Sequence, residues 1–530
     1  MSHRYNRLRI HPAAVLGLLL SLGGSALLAY LDTRPWARWE EVGMQIEQRF
    51  EGDSLGYAYL DGERRALHPH VAVFYGRRGF EPAWPDPAAR DTLLYLLEDA
   101  EADGLDPDAY HVDALRRLSA AAPARSEAGD SLQTDRDLLF TDAFFRLGDD
   151  LVGPNVEIAE VYRATQWRPT RRTLDRVALL AEAIGTEDPA GAVARAVDRL
   201  RPQAPDYHAL RAALRRILDA RDAWPTLLPG VTLTPGDVSP RVPALRARMQ
   251  IAGYGGPTPS DSTALAYDAD LAAAVRRYQA ERGLDSTGVV DQATRAALNR
   301  RPDDLVPRLR LNLERWRWLP DPLGDFHVFV NIPAYELALR AFDGAQFQEL
   351  LRMNVVVGRR TWATTVMSDT MTQIVFNPTW TIPPSIQREQ YGSYQGRMVR
   401  QPGPGNPLGR AKFLFPNEHA IYIHDTNARS GFAREVRTLS HGCVRAEHPD
   451  RLAAALLGRT NGWAAEEVEA IWRGPWRERP VTLDAPVPVH LVYFTAWVTP
   501  DGAVTTYDDV YGLDAPLAEA LGLVLPEREG

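Results

Sequence analysis

The chain has 530 residues, 45% of them hydrophobic and 24% charged, a balance typical of a globular protein with about three or four domains. Its net charge of −9 argues against nucleic acid as the main partner, because binding phosphates needs a concentrated basic surface. A single cysteine excludes any disulfide within the chain.

The N-terminal segment has the pattern of a membrane signal. Arg4, Arg7 and Arg9 precede an uncharged run at residues 13–31. As a helix, this run would cover about 28 Å, close to the thickness of the hydrocarbon core of a bilayer. Because the run lacks a clear cleavage site, we expect residues 1–32 to be an uncleaved single-pass anchor, with a cleaved signal peptide as the alternative.

The next region, residues 33–237, has apolar residues at helical spacing, as in the pair Phe140 and Phe144. A loop is expected inside it over Ala120–Ser131, which contains Pro123 and Gly129 and no large apolar side chain. We predict a helical scaffold domain in which no residue is catalytic.

A smaller unit follows at residues 238–302. Leu245 and Met249 predict one helix, Val275 and Tyr278 a second, and an aspartate in N-cap position predicts a third. This pattern resembles the small peptidoglycan-binding domain found beside many cell-wall enzymes. A helical spacer without a ligand is the alternative.

The pattern changes to short β-rich runs separated by glycines after residue 315. Examples are Phe326–Ile332, Leu351–Val357 and Val487–Val498. We predict a β-rich domain with a few helices over residues 303–515, followed by a tail at residues 516–530.

The single cysteine, Cys443, lies in this β-rich region, within the motif Ser-His-Gly-Cys-Val-Arg at residues 440–445, and His424 lies 19 positions upstream. Glycine permits a tight turn and close approach of a substrate, and an imidazole can accept the thiol proton. A nearby positive charge favours the thiolate. The motif therefore predicts a cysteine nucleophile.

Two other interpretations of Cys443 compete with this one. A lone cysteine is commonly a small buried apolar residue. A zinc site is the second alternative, because four histidines surround it in sequence: His419, His424, His441 and His448. The chain has no CxxC pair and no HExxH helix, so we expect no metal ligand and no cofactor.

These motifs resemble the L,D-transpeptidase family, in particular its large, membrane-anchored, periplasmic subgroup with scaffold and peptidoglycan-binding domains. The resemblance implies a multidomain α+β protein: a helical scaffold and a three-helix peptidoglycan-binding domain plus a β-rich L,D-transpeptidase catalytic domain. Besides the cysteine motif, it is carried by LERWRWLP at residues 313–320, VNIP at 330–333, NPTW at 377–380, IPPSI at 382–386, QPGPGN at 401–406, FPN at 415–417 and DVYG at 509–512.

The resemblance implies that Cys443 attacks a stem tetrapeptide of peptidoglycan, releases D-alanine and forms a thioester, which an amine of a neighbouring stem resolves. His424 is the expected base in preference to His441, with either Asp425 or a backbone carbonyl orienting its ring.

The remaining candidate residues surround the nucleophile. The amides near Gly442 and Cys443 are expected to form an oxyanion hole. Arg445 is expected to bind a substrate carboxylate or favour the thiolate, with a surface ion pair as the alternative. Ser440 is expected to form hydrogen bonds within the loop, and Tyr422 to line the cleft.

Two departures from the family pattern stand out. Only 14 residues separate Ile386 from Gln401, where well-known members carry a much longer lid, so capping of the substrate is expected to be absent or differently supplied. Thr364-Thr365 stands where relatives tend to have Thr-Pro, which is expected to loosen one turn.

The expected partners are peptidoglycan stem peptides and glycan, the bacterial inner membrane through residues 13–31, and carbapenem-type inhibitors, with the catalytic part in the periplasm. Two alternatives to cross-linking remain open. Water or a protein lysine can serve as the acyl acceptor, or the protein is an inactive wall-binding anchor.

Overall fold

The computed structural model describes residues 35–526 apart from short gaps. The gaps are residues 53–54, 61, 122–126, 163–171, 222–223, 256–258, 260–261 and 300–304. The predicted anchor at residues 13–31 lies outside the described residues. Within the part that is described, no helix is both long and apolar enough to cross a bilayer.

The chain folds into two compact units. The first draws on residues 1–100, 106–149 and 174–200, and the second on residues 101–105, 150–173 and 201–530. The helices in chain order are α1 (Pro35–Gln48), α2 (Pro69–Arg77), α3 (Pro87–Glu98), α4 (Val112–Ala120), α5 (Glu127–Val152), α6 (Ile158–Val161), α7 (Arg176–Ile184), α8 (Pro189–Leu200), α9 (Pro205–Ala220), α10 (Val242–Ile251), α11 (Ala269–Glu281), α12 (Gln292–Asn299), α13 (Leu305–Trp316), α14 (Pro384–Tyr391), α15 (Pro449–Asn461), α16 (Ala465–Arg473) and α17 (Asp514–Ala520).

The first unit is built around α5. Phe140, Phe144 and Phe145 on this helix are fully buried, as their spacing predicts. Because α5 begins at Glu127, the loop predicted over Ala120–Ser131 is wrong in its second half. Gly129 is buried within the helix, so tertiary packing outweighs its weak helix propensity.

Helices α10, α11 and α12 of the second unit enclose a small core of their own. Leu245, Met249, Val275 and Tyr278 are buried in it. Asp291 caps α12, since its carboxylate accepts the N–H of Thr294 at 2.8 Å. The predicted three-helix pattern is confirmed.

The β-rich part of the second unit is one sheet that closes on itself. Its order is β11-β5-β12-β10-β9-β6-β13-β3-β4, and β4 pairs in turn with β5. The strands of the molecule are β1 (Tyr57–Leu60), β2 (Glu63–Ala66), β3 (Phe326–Asn331), β4 (Glu336–Phe342), β5 (Phe347–Gly358), β6 (Met367–Phe376), β7 (Trp380–Thr381), β8 (Val399–Arg400), β9 (Ala411–Leu414), β10 (Ile423–His424), β11 (Thr438–Ser440), β12 (Val444–Ala446), β13 (Arg479–Val492), β14 (Ala496–Val498) and β15 (Val504–Thr506).

Strand β5 makes the closure possible because it is long enough for several partners. Its first part pairs with β4, and its last residues pair with β12 and β11. Buried aliphatic side chains such as Val328, Leu339, Val355, Ile374 and Val444 belong to the core of this sheet. The predicted α+β architecture, with helical domains and a β-rich domain, is confirmed.

The charged residues of the LERWRWLP segment lie at and just after the end of α13 and are buried. Glu314 accepts hydrogen bonds from Arg317 at 2.7 Å and from the indole of Trp318 at 2.9 Å. Arg315 pairs with Asp514 of α17 at 2.7 Å. These side chains therefore form buried contacts within the segment and to α17 and do not form a surface charge pattern.

Candidate active site

The loop that carries Cys443 connects two strands that both pair with β5. Ser440 ends β11, Val444 begins β12, and the backbone turns between them at Gly442, whose φ of +108° favours glycine. The hydroxyl of Ser440 accepts the N–H of Gly442 at 3.1 Å and donates to the carbonyl of Cys443 at 2.6 Å. The hydroxyl of Ser440 therefore holds the turn through hydrogen bonds within the loop.

A second hydroxyl, missed by the sequence analysis as a site residue, supports the same loop. Thr364 donates to the carbonyl of Gly442 at 2.8 Å and accepts the N–H of Gly358 at 2.9 Å. The hydroxyl of Tyr511 donates to the carbonyl of Gly358 at 2.6 Å. Thr364 thus braces the loop, although a looser turn was expected at Thr364-Thr365.

His424 lies on β10, next to the strand that follows Cys443. Its register partners are Lys412 on β9 and Arg445 on β12. The Nδ1–H of its ring donates to the main-chain carbonyl of Asp425. The neutral ring therefore keeps Nε2 as an acceptor, which a general base requires.

The carboxylate of Asp425 does not contact the ring of His424 in this arrangement. It accepts the N–H of Arg410 at 2.7 Å and the N–H of Thr426 at 2.7 Å. Of the two orienting groups considered from the sequence, the structure places the backbone carbonyl at Nδ1.

Cys443 and His424 both line one cavity of about 1260 Å³. Trp380 and Tyr422 also line it, and the ring of Tyr422 lies 5.6 Å from that of His424. Of the described residues in its wall, none is aspartate or glutamate. The positively charged residues in the wall are Arg360, Lys412 and Arg445.

Burial keeps Cys443 and His424 uncharged. It raises the pKa of the Cys443 thiol to about 11, although hydrogen bonds from Tyr422 and the charges of Arg445 and Lys412 act in the opposite direction. Burial, with repulsion from Arg445 and Lys412, lowers the pKa of His424 to about 3. The resting site is therefore a neutral thiol beside a neutral imidazole at pH 7.

His441 is tied to the segment that takes the place of the long lid. Its Nε2 lies 2.7 Å from a guanidinium nitrogen of Arg359 and 2.9 Å from a carboxylate oxygen of Glu389 on α14. Arg359 and Glu389 also pair with each other. A single ring nitrogen cannot accept from Arg359 and donate to Glu389 at once, so the tautomer of His441 selects its partner.

The short segment between Ile386 and Gln401 is ordered and forms part of the cavity wall. Strand β8 returns to pair with β7, and the amide of buried Gln387 donates to the carbonyl of Ile382 at 2.9 Å and to that of Gly396 at 3.0 Å. Ser385, Ile386 and Gln390 line the cavity. One wall of the cavity is thus supplied by this short segment, which we call the cap (residues 384–400).

Lys412 and Arg445 are further residues of the site, and sequence reasoning missed the first. Among the described residues, neither has a carboxylate within ion-pairing distance. The Nε of Arg445 is buried without a hydrogen-bond partner in the described structure. The signal that would have found Lys412 is its uniqueness, since it is the only lysine in the chain.

Outside this cavity, one group of described residues has side chains close enough together to bind a metal ion. His68, His70 and Asp149 of the first unit have candidate ligand atoms within 4.8 Å of one another. The Nδ1 of His68 accepts the N–H of His70, so its Nε2–H donates to Asp149, which also pairs with Arg176 at 2.8 Å. These hydrogen bonds already engage His68 and Asp149.

Models of known domain families match three segments of the chain. A scaffold domain matches residues 69–214, a "Putative peptidoglycan binding domain" matches residues 238–298, and an L,D-transpeptidase catalytic domain matches residues 325–481. The third segment contains Cys443 and His424.

Individual relatives cover parts of the chain. A Haemophilus influenzae protein named "Putative L,D-transpeptidase" is 31% identical over 253 residues, which is 40% of this chain and 49% of the relative. The match thus spans about half of that relative's length.

Solved structures give a weaker likeness. An L,D-transpeptidase from Mycobacterium smegmatis is 12% identical over 32% of this chain and 58% of its own, with a TM-score of 0.19. The L,D-transpeptidase of Xylanimonas cellulosilytica is 16% identical over 50% of this chain and 98% of its own, with a TM-score of 0.17. We draw no conclusion from scores this low. Segments of the chain thus match an L,D-transpeptidase catalytic domain, a scaffold domain and a peptidoglycan-binding domain.

Proposed function

We propose that this protein is a cysteine-dependent L,D-transpeptidase that cross-links peptidoglycan stem peptides. The observation that carries the proposal is the pairing of Cys443 with His424 in one cavity. There, Nδ1 of the histidine is committed to the carbonyl of Asp425 and Nε2 is left to accept a proton. The match of residues 325–481 to the L,D-transpeptidase catalytic domain supports the same reaction class.

In the proposed reaction, His424 takes the proton of Cys443 as sulfur attacks the carbonyl before the terminal D-alanine of a stem tetrapeptide. The protonated imidazole then gives that proton to the departing amine of D-alanine, and a thioester remains. An amine of a neighbouring stem attacks the thioester, which restores the thiol. One amide replaces another, so the exchange requires no nucleoside triphosphate.

The oxyanion site of this proposal centres on Cys443. The N–H of Gly442 already donates to Ser440. The N–H of Cys443 donates to none of the described residues and is therefore available to the developing oxyanion. Ser440 and Thr364 act by holding this turn, and Tyr422 supports the sulfur through its N–H and hydroxyl.

We further propose that the catalytic part works at the periplasmic cell wall, held by the anchor at residues 13–31. The domain boundaries at residues 32, 237, 302 and 515 remain predictions. The peptidoglycan-binding match at residues 238–298 supports a wall location, because it lies beside the catalytic domain in the chain.

Mass spectrometry of the products tests this function directly. The full chain is incubated with purified disaccharide-tetrapeptide beside the Cys443→Ala variant. We expect a dimer with loss of D-alanine, absent with the variant. Tripeptide monomer alone would instead indicate transfer to water. If a folded protein shows no turnover and forms no carbapenem adduct, the result would favour an inactive wall-binding anchor.

A further inference from the structure

Lys412 is the only lysine among the 60 lysine and arginine residues of the chain. It lies on β9 in register with His424 and lines the cavity that holds Cys443. Its ammonium is 5.5 Å from the ring centroid of Tyr422. Every other cationic side chain is a guanidinium, so the compact ammonium is confined to the site of the proposed chemistry.

Lys412 and Arg445 flank His424 from two neighbouring strands, and neither forms an ion pair with a described residue. Glu478 influences Lys412 electrostatically but accepts the N–H of Thr379. Both cations are partly buried, and the described cavity wall offers no carboxylate. Partly buried charges without a partner are costly, and an anionic ligand removes that cost.

The protonation states of Cys443 and His424 in the site without substrate do not account for the presence of these two charges. They do not overcome the burial that keeps the Cys443 thiol protonated, and they repel a proton from His424, which opposes its action as a base. An anion bound between them would cancel that repulsion and make His424 more basic when substrate is present. The two positive charges are therefore better explained by the binding of an anionic ligand than by the chemistry of Cys443 and His424 alone.

The proposed donor has a carboxylate at this place, because the terminal carboxylate of D-alanine lies one residue beyond the scissile carbonyl. We propose that Lys412 and Arg445 together bind two carboxylates of the donor peptide, that of the departing D-alanine and one further along the stem. Lys412 is thereby a specificity residue that selects stems with free carboxylates over amidated ones. This inference rests on the proposed transpeptidase function.

Binding to the full chain carrying Cys443→Ala tests the inference without turnover. Calorimetry compares disaccharide-tetrapeptide with free carboxylates against the same compound with its non-terminal carboxylates amidated. We expect the free form to bind at least about tenfold more tightly, as loss of a charged hydrogen bond implies. Adding Lys412→Met should remove this preference, whereas Lys412→Arg should keep it.

The matched control is Arg451→Met, which removes one exposed charge of the same domain and should keep the preference. If Lys412→Met does not fold, Lys412→Gln takes its place. Equal binding of the two donors, or an undiminished preference in the lysine variant, would overturn the inference. A preference in binding without any turnover by the unsubstituted enzyme would reject the proposed function while leaving the carboxylate site intact.

A kinetic readout separates recognition from a structural role. In the active enzyme, Lys412→Met should raise KM for the free donor more than for the amidated one. It should also shift the acidic limb of the pH–rate profile to higher pH, because removing a positive charge raises the pKa of His424. An equal loss for both donors with an unchanged profile would contradict the assignment.

Discussion

At the scale of single residues, the charge state of the nucleophile distinguishes this site from thiolate–imidazolium pairs. With a pKa of about 11 for Cys443 and about 3 for His424, the thiol gains reactivity only as hydroxide removes its proton or as bound substrate changes its surroundings. In the proposed reaction, the proton therefore moves to His424 during attack and not before it.

This charge state predicts the pH dependence of alkylation in the free enzyme. Between about pH 7 and 10 the rate of modification by iodoacetamide should rise about tenfold per unit, because the thiolate fraction does so below the thiol pKa. Mass spectrometry of the Cys443 peptide follows the reaction. A plateau from about pH 5 to 8 would instead reveal a preformed thiolate.

A second prediction concerns the hydroxyl of Thr364. Thr364→Val leaves the carbonyl of Gly442 and the N–H of Gly358 without their partner, which should cost about 1–3 kcal/mol of unfolding free energy. It should also slow acylation by a carbapenem. Urea unfolding and adduct formation measure the two effects.

Two companion variants make that result specific. Thr364→Ser should restore both properties because it keeps the hydroxyl. Thr365→Val should leave stability unchanged, since this hydroxyl bonds to none of the described residues. Equal effects of Thr364→Val and Thr365→Val would argue against the bracing role.

The sequence indicated the two residues of the proposed catalytic pair but not the residues that support them. Cys443 and His424 are conspicuous because the cysteine is unique and its motif is local. Thr364 contacts the loop of Cys443, and Lys412 lies in register with His424, but both are distant in the chain from Cys443, so the sequence pattern does not reveal these positions. The choice between the carboxylate and the carbonyl of Asp425 depends on the turn after β10, which local pattern does not encode.

At the scale of elements, the cap is short, but side-chain contacts attach it to the loop that carries Cys443. Helix α14 reaches the nucleophile loop through Glu389, which contacts both His441 and Arg359. A longer lid is not needed to supply this wall of the cavity. The sequence revealed the length of the segment, whereas its internal hydrogen bonds through Gln387 became visible only in the fold.

Removing the charge at Glu389 should loosen the cap. For Glu389→Gln we expect faster hydrogen exchange over residues 384–400 with little change in exchange elsewhere, because the amide pairs more weakly with Arg359. Exchange mass spectrometry gives the comparison. Glu435→Gln, an exposed glutamate away from the cavity wall, should match the parent protein.

The pairing of the strands could not be predicted from the periodicity of apolar residues in the sequence. Strands β10 and β12 are short and pair in parallel, and this register aligns His424 with Arg445. Alternation identified β-rich runs but not their neighbours. The start of α5 was missed for a related reason, because burial of Gly129 in the packed helix overrides a local loop signal.

At the scale of the whole molecule, a buried ion pair joins α13 to α17, two helices that are about 200 residues apart in the chain. Arg315→Met should destabilise the protein by about 3–5 kcal/mol, because Asp514 is left buried without its cation. Urea unfolding of the full chain measures the loss. The double variant Arg315→Met/Asp514→Leu should recover most of it, and a failure to recover would show that the pair itself contributes the stability.

The domain order was predictable because each part has a different periodicity. Helical spacing, a three-helix pattern and β alternation follow one another along the chain. The packing of residues 101–105 with the second unit was not predictable, since it depends on long-range contacts such as Asp103 with Arg201 at 3.0 Å.

The chain has one thiol side chain and one side-chain amine, and both line the same cavity. A maleimide and an amine-directed ester therefore each have a single side-chain target, apart from the terminal amine. Fluorophores or crosslinkers can be addressed to the cavity of the unsubstituted protein. A reagent with both functions would report directly on how far apart the sulfur and the ammonium lie as the cavity fills.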